Sequence, residues 1–199
     1  MRIVSITVNA PVEAWTNAGF SVGANGRMHA GMCDIVFDDD DGPRGIRSWA
    51  LAGNGAGEVC GIPTTWHGSD PSVGGDGVMR DHGVVLDHVM VQAANPSAVL
   101  DALEALGATD RSLAGGASTS PSVMIGHVRV DVLQADESTT AGAVLFGLAF
   151  ARPDLASLVE ELGPDVLGAL KPATQPGWSV AAFRSGAGLG VPCALMSRS

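Results

Sequence analysis

Leu86-Asp87-His88-Val89-Met90-Val91-Gln92-Ala93, followed by Asn95-Pro96, is the stretch on which the fold turns. Val89 and Val91 alternate with His88, Met90 and Gln92. That period of two is the mark of a strand with one apolar and one polar face. Asn95 is a good N-cap, and Pro96 suits a first helical turn because its missing N–H would go unpaired there. Over 97–106, Val99, Leu100, Leu103 and Leu106 fall on one helical stripe, and Gly107 ends it. The reading is therefore a strand, a tight connection and an amphipathic helix.

The unit recurs. Ile3-Val4-Ser5-Ile6-Thr7-Val8-Asn9-Ala10-Pro11 and Leu145-Phe146-Gly147-Leu148-Ala149-Phe150-Ala151 match it, the latter running into Pro153. A short helix over 12–18 follows the first copy and ends at Gly19. A helix over 154–162 follows the other, with Leu155, Leu158, Val159 and Leu162 on one stripe and Gly163 at its end. Ile46-Arg47-Ser48-Trp49-Ala50-Leu51-Ala52 is a fourth strand in the same register, but no helical stripe follows it. The Gly-, Pro-, Ser- and Asp-rich segment 53–83 reads as a long loop or decayed repeat draped over the surface. Closing strands repeat as well. The stretch 28–37 parallels 124–133, aligned on Gly31 and Gly126, and each reads as a hairpin. The third closing pair is 178–184 and 191–197, joined by a glycine-rich turn.

Alternation assigns faces. Val4, Ile6 and Val8, then Val89 and Val91, then Phe146, Leu148 and Phe150 belong under the helices, as do Cys33, Ile35 and Phe37 and Val128, Val130 and Val132. The other face carries Ser5, Thr7, Ser48, Ala50, His88, Met90, Gln92, His127, Arg129, Asp131, Gly147 and Ala149. Such a face needs water or a ligand against it. The expected class is α+β, built from repeated β-α-β-β-β modules in curled mixed sheets. Residues 1–83 are expected to form a degenerate half with a long loop, and 84–199 a complete two-module domain.

Composition excludes several functions. The formal net charge is −10, with only 11 Lys and Arg. A phosphate backbone or an anionic membrane surface would be repelled, so no nucleic acid or membrane partner is expected. The run Asp38-Asp39-Asp40-Asp41 reads as a solvated loop rather than a cation site. The apolar run from Val84 is broken by Asp87 and His88, short of a membrane span. Met1-Arg2-Ile3-Val4 does not begin a secretory leader, so a cytoplasmic location is expected. Cys33, Cys60 and Cys193 are odd in number and show no C-x-x-C, which argues against a disulfide framework and a zinc cluster. Gly186-Ala187-Gly188-Leu189-Gly190 precedes a strand, so it is no nucleotide loop.

The 86–91 strand with Asn95-Pro96 and a helix ending Leu106-Gly107 resembles the vicinal oxygen chelate superfamily, which includes glyoxalases, extradiol dioxygenases, fosfomycin-resistance transferases and bleomycin-binding proteins. The closing stretch from Gln175-Pro176-Gly177-Trp178 through Val191-Pro192-Cys193-Ala194-Leu195-Met196-Ser197 resembles its glyoxalase-like, bleomycin-resistance-type branch. The resemblance implies paired modules curled into a cup. It also implies metal ligands on the first and last strand of each module. Here those positions are His88 and Asp131 in one module and Gly147 and Ala194 in its partner, with Ser5 and Val36 in the N-terminal copy. Gly147 and Ala194 offer no side-chain donor, and a catalytic metal wants about three protein ligands.

Three readings of His88 and Asp131 stay open: a metal pair completed from elsewhere, an acid/base pair, or a polar remnant in a cup that binds or buries something. The first expectation is a small-molecule-binding protein with no cofactor, a divalent metal being possible. The alternative is a lyase-, isomerase- or dioxygenase-type enzyme using His88 and Asp131. Arg129, Met90, Gln92, Trp178 and Arg184 are the candidate ligand-binding residues. Arg129 and Arg184 suit an anion, although Arg129 lies two residues from Asp131 on one face and the two can pair. His127 is expected at the surface, and His29, His67 and His82 show no ligand spacing. Trp66-His67 reads as a pocket lid or a local plug. A homodimer is a further open expectation, as is whether the cup is open or filled.

Overall fold

The computed structural model describes residues 1–68, 83–113, 120–135 and 142–198. Segment 85–198 makes one eight-stranded mixed sheet. Its first module is β6 (Val85–Ala93), α2 (Pro96–Ala105), β7 (Thr109–Ser112), β8 (Ser122–Ile125) and β9 (Val128–Gln134). Its second is β10 (Ala143–Ala151), α3 (Leu155–Leu162), β11 (Lys171–Pro172), β12 (Trp178–Ala182) and β13 (Cys193–Arg198). The strand order is β11-β12-β13-β10-β6-β9-β8-β7. In each module the last strand returns parallel to the first, and the two first strands, β6 and β10, pair antiparallel at the centre.

The N-terminal sheet follows the same plan with parts missing. It consists of β1 (Arg2–Asn9), β2 (Arg27–Ala30), β3 (Cys33–Asp38), β4 (Gly45–Ala52) and β5 (Thr64–Trp66), in the order β2-β3-β1-β4-β5, with α1 (Val12–Asn17) after β1. β1 and β4 pair antiparallel, β3 lies parallel to β1, and β5 lies parallel to β4. The class is α+β, as expected.

Each helix forms where its apolar stripe meets the core. α2 buries Val99, Leu100 and Leu103, and Asn95 Oδ1 accepts from the Ala98 N–H at 3.2 Å. α3 buries Leu155 and Leu158. One continuous core runs through both sheets, from Ile6, Trp15 and Met28 to Leu86, Phe150 and Leu195. Trp15 is fully buried, donates from Nε1 to the Leu189 carbonyl at 3.1 Å, and packs its ring near Phe20, Phe37 and Phe150. Arg152, buried, grips both oxygens of Asp154 at 2.5 and 2.6 Å and donates to the Gly19 carbonyl at 3.1 Å.

Three sequence expectations need correction. Val4 and Phe146 do not share the helix-side face with their neighbours. Each is the extra residue of a one-residue bulge: Ile3 pairs with Leu51 and Ser5 with Ala50, and Leu145 pairs with Val91 and Gly147 with Met90. A bulge shifts the alternation by one, so Ile3 and Leu145 take the core places and Val4 packs apart from the main core with Ala50 and Ala52. The described part of segment 53–83 is not merely draped on the surface. It buries Val59 and Ile62 and supplies β5, because β4 has an edge that a last strand must cover. His82 and the rest of that segment lie outside the described residues. Strands β7 and β11 were not foreseen; both are short edge strands without an alternating apolar pattern.

The acidic run 38–41 is an exposed loop in which two of the four carboxylates are paired. Asp39 pairs with Arg44 at 2.7 Å and Asp40 with Arg47 at 2.8 Å, while buried Asn9 donates to Asp40 at 2.6 Å. Cys33 and Cys193 are buried in the core, and desolvation raises both thiols far above the ordinary range. Trp66 plugs local structure, donating from Nε1 to the Gly57 carbonyl at 3.0 Å.

Candidate functional site: a cup between two modules

The face of the eight-stranded sheet away from the helices is open. It forms a cavity of about 600 Å³. Strand register builds its polar wall. In the parallel pair β6–β9, His88 lies opposite Arg129 and Met90 opposite Asp131. Val89 and Val91, which alternate with them, go to the core, so His88 and Met90 must face the cup. Ser112 and Ser120 extend this wall. The other module supplies residues 172–176, Val180 and Met196, the last two paired across β12 and β13.

His88 stands between two carboxylates. Its Nδ1 is 2.9 Å from Asp87 Oδ2, a hydrogen bond. Its Nε2 is 3.8 Å from Asp131 Oδ2, too far for one. Asp131 is held instead by Arg129. Nη2 donates to Oδ2 at 3.1 Å, and Nε lies 3.0 Å from Oδ1, close enough for an ion pair but off the hydrogen-bond direction. The His88 and Asp131 side chains keep only 12% and 13% of their exposure, so both act from the cup floor rather than from bulk water.

Among the proposed ligand-binding residues, Arg129 and Met90 line the cavity with His88 and Asp131. Gln92 follows Met90 on the same face but is not part of the lining. Trp178 lies one pleat beyond Val180, under the Arg198 guanidinium at 5.7 Å. Arg184 is not brought to the cup; its Nε reaches the Pro164 carbonyl at 3.4 Å, so it forms no anion clamp with Arg129. His127 is exposed, and His29 is paired with Asp34 at 2.7 Å. Sequence reasoning missed Asp87 and the 172–176 wall. Asp87 adjoins His88 in sequence, but strict alternation sends it to the opposite face.

The donor set among the described residues does not suit a catalytic divalent metal. Among the described residues no three His, Cys, Asp or Glu side chains converge. Asp131 is already engaged by a guanidinium. The matching position in the second module is sterically closed: a Cβ on Gly147 would lie 2.7 Å from Met90 Cε and 2.9 Å from the Pro192 carbonyl oxygen. Ala194 pairs with Ala149 as Asp131 pairs with Met90, which fixes the equivalence of Ala194 and Asp131.

No protein-family model matches the sequence, and no curated protein does. Solved structures do match. A mutant of 4-hydroxymandelate synthase from Streptomyces coelicolor aligns over 100% of this chain and 92% of its own, with TM-score 0.59 and 13% identity. A fusion of a xylose isomerase-like TIM barrel with 4-hydroxyphenylpyruvate dioxygenase aligns over 100% of this chain, with TM-score 0.58 and 9% identity. The chain spans 49% of that fusion. At such identities the likeness carries the fold alone. 4-Hydroxymandelate synthase is a vicinal oxygen chelate protein, and the chain has the fold of that superfamily.

Proposed function

We propose that the protein binds a small organic molecule in the cup between its two complete modules and does so without a metal, in the manner of the glyoxalase-like, bleomycin-resistance-type branch. The observation that supports this is the Arg129–Asp131 pair on the floor of an open cavity. A metal at Asp131 would first have to break that pair and then sit beside the freed guanidinium, a like-charge contact made costly by partial burial. The cup meanwhile offers what organic ligands use: an apolar wall of Met90, Leu133, Val180 and Met196 and a few convergent polar groups. The test has two parts. Metal content is measured on purified protein before and after incubation with zinc, manganese and iron salts. Thermal melting is then followed against a panel of small organic molecules, in wild type and Met90→Trp. The expected result is no stoichiometric metal, and a rise in melting temperature with some panel members that Met90→Trp abolishes by filling the cup. Tight stoichiometric metal lost in His88→Ala would overturn the reading.

A second reading has one observation in its favour. The 2.9 Å contact between Asp87 and His88 Nδ1 is the arrangement in which a carboxylate orients a general base. On this reading the chain is an acid/base enzyme with His88 as the base. Turnover in a substrate screen, lost in His88→Ala without added metal, would support it over simple binding.

A further inference from the structure

The atom that His88 presents to the cup is decided by the residue before it. Asp87 is the extra residue of a bulge in β6: Ala149 pairs with His88 and Phe150 with Leu86, leaving Asp87 unopposed. Counting back from Val91 and Val89, strict alternation would bury Asp87 in the core. The bulge gives that place to Leu86, which is 2% exposed, and leaves the Asp87 side chain 24% exposed beside the imidazole. An ionised carboxylate only accepts hydrogen bonds, so the contact at 2.9 Å requires the proton on Nδ1. The neutral ring then carries a bare lone pair on Nε2. That lone pair looks across 3.8 Å at Asp131 Oδ2, a second acceptor, and among the described residues no donor satisfies it. Arg129 also lines the cup. Of its five N–H groups only one, on Nη2, makes a hydrogen bond to an acceptor among the described residues.

We propose that the cup selects its ligand by a hydroxyl group, whose O–H donates to His88 Nε2 while its oxygen accepts from Arg129, and that Asp87 is the positioning residue that holds the required tautomer. This rests on the reading of the cup as a ligand site. A hydroxyl is the group that supplies a donor and an acceptor on one atom. An ether lacks the donor. A carboxylate also lacks it, and would meet Asp131 behind the guanidinium. The rest of the ligand is apolar, to match Met90, Val180 and Met196.

The experiment uses the metal-free full chain with ¹⁵N-labelled histidine. Long-range ¹H–¹⁵N spectra identify which ring nitrogen of His88 carries the proton at a pH where the ring is neutral. The ligands are 1-naphthol and 1-methoxynaphthalene, an alcohol and its ether with nearly the same apolar body. The expected result is the Nδ1–H form in wild type, retained in Asp87→Asn, whose side-chain carbonyl still accepts, and lost in Asp87→Ala. Naphthol should bind on the order of tenfold more tightly than the ether, as one net hydrogen bond provides, and Asp87→Ala should erase the difference. An Nε2–H form in wild type, or equal affinities for the two compounds, would overturn the proposal while leaving the cup a binding site. If the Nδ1–H form is found and neither compound binds, the reading of the cup itself fails. Both substitutions are at a partly exposed position, and melting curves establish that the variants are folded.

Discussion

The two sheets keep the same backbone plan and spend it differently. In the N-terminal sheet Ser5 lies opposite Asp34 and Thr7 opposite Val36; in the C-terminal sheet His88 lies opposite Arg129 and Met90 opposite Asp131. The incomplete module keeps pace too. The Trp49 N–H donates to the Pro63 carbonyl at 3.2 Å, as the Leu148 N–H donates to the Pro192 carbonyl at 3.0 Å. All four first strands carry a one-residue bulge, at Val4, Arg47, Asp87 and Phe146. Each stands immediately before one of the equivalent positions Ser5, Ser48, His88 and Gly147. Register and bulge are held by the buried face, where a one-residue slip would expose every apolar side chain. The opposite face is under no such constraint. One sheet uses it for Val4, Ala50 and Ala52, the other for a polar cup. In one strand the extra residue is an aspartate hydrogen-bonded to a histidine that lines the cup.

The comparison would be broken most directly by removing what the sheets share. Trp15 comes from the N-terminal half, yet its indole is bonded to Leu189 and packed against Phe150 of the other. Trp15→Ala should cost about 3–5 kcal/mol, the usual range for truncating a buried large aromatic side chain. Because one core serves both sheets, the loss should appear as a single cooperative transition moved to lower denaturant. Two separated transitions, with 85–198 melting as in wild type, would mean that the halves are energetically independent.

A second, smaller effect tests why the cup has one polar module rather than two. Gly147 cannot carry a side chain without pressing on Met90 and the Pro192 carbonyl. Met90 can swing aside; the backbone oxygen of a paired strand cannot. Gly147→Ala should therefore destabilise the protein by about 1–3 kcal/mol, the range for overpacking. Gly147→His should cost at least as much and gain no zinc binding. A folded Gly147→His variant with new stoichiometric zinc would show that the second half-site is recoverable.

How much of this was legible follows from the same division. The buried face announces itself as alternation, so β1, β3, β6, β9 and β10 and the stripes of α2 and α3 could be read directly. The equivalence of Ser5, Ser48, His88 and Gly147 came from that register, and the placement of His88 and Asp131 on the cup face follows from it. Bulges cannot be read this way, because an extra residue looks like any other in a chain of alternating types. Alternation alone therefore assigns Val4 and Phe146 to the wrong face and gives no sign of Asp87. Edge strands such as Lys171–Pro172 bury little and leave no pattern. Trp178 and Arg184 have side chains suited to a ligand, but the alternation along 178–184 assigns them no face, and neither lines the cavity.

The smallest predicted effect sharpens the contrast between helices. Asn95 caps α2 with its side chain, accepting from Ala98 N at 3.2 Å. α1 starts at Pro11 with no side-chain cap, and the Asp154 carboxylate before α3 is taken by Arg152. Only α2 among the described helices therefore has a cap to lose. Asn95→Ala should lower stability by about 1 kcal/mol, and Asn95→Gly by a few tenths, since glycine tolerates the N-cap backbone and leaves the amides open to water. The cap lies at the far end of β6 from His88, so 1-naphthol affinity should not change in either variant. If Asn95→Ala cost nothing, α2 would be held by the packing of Val99, Leu100 and Leu103 alone. The side-chain cap would then add nothing to what the apolar stripe of α2 already provides.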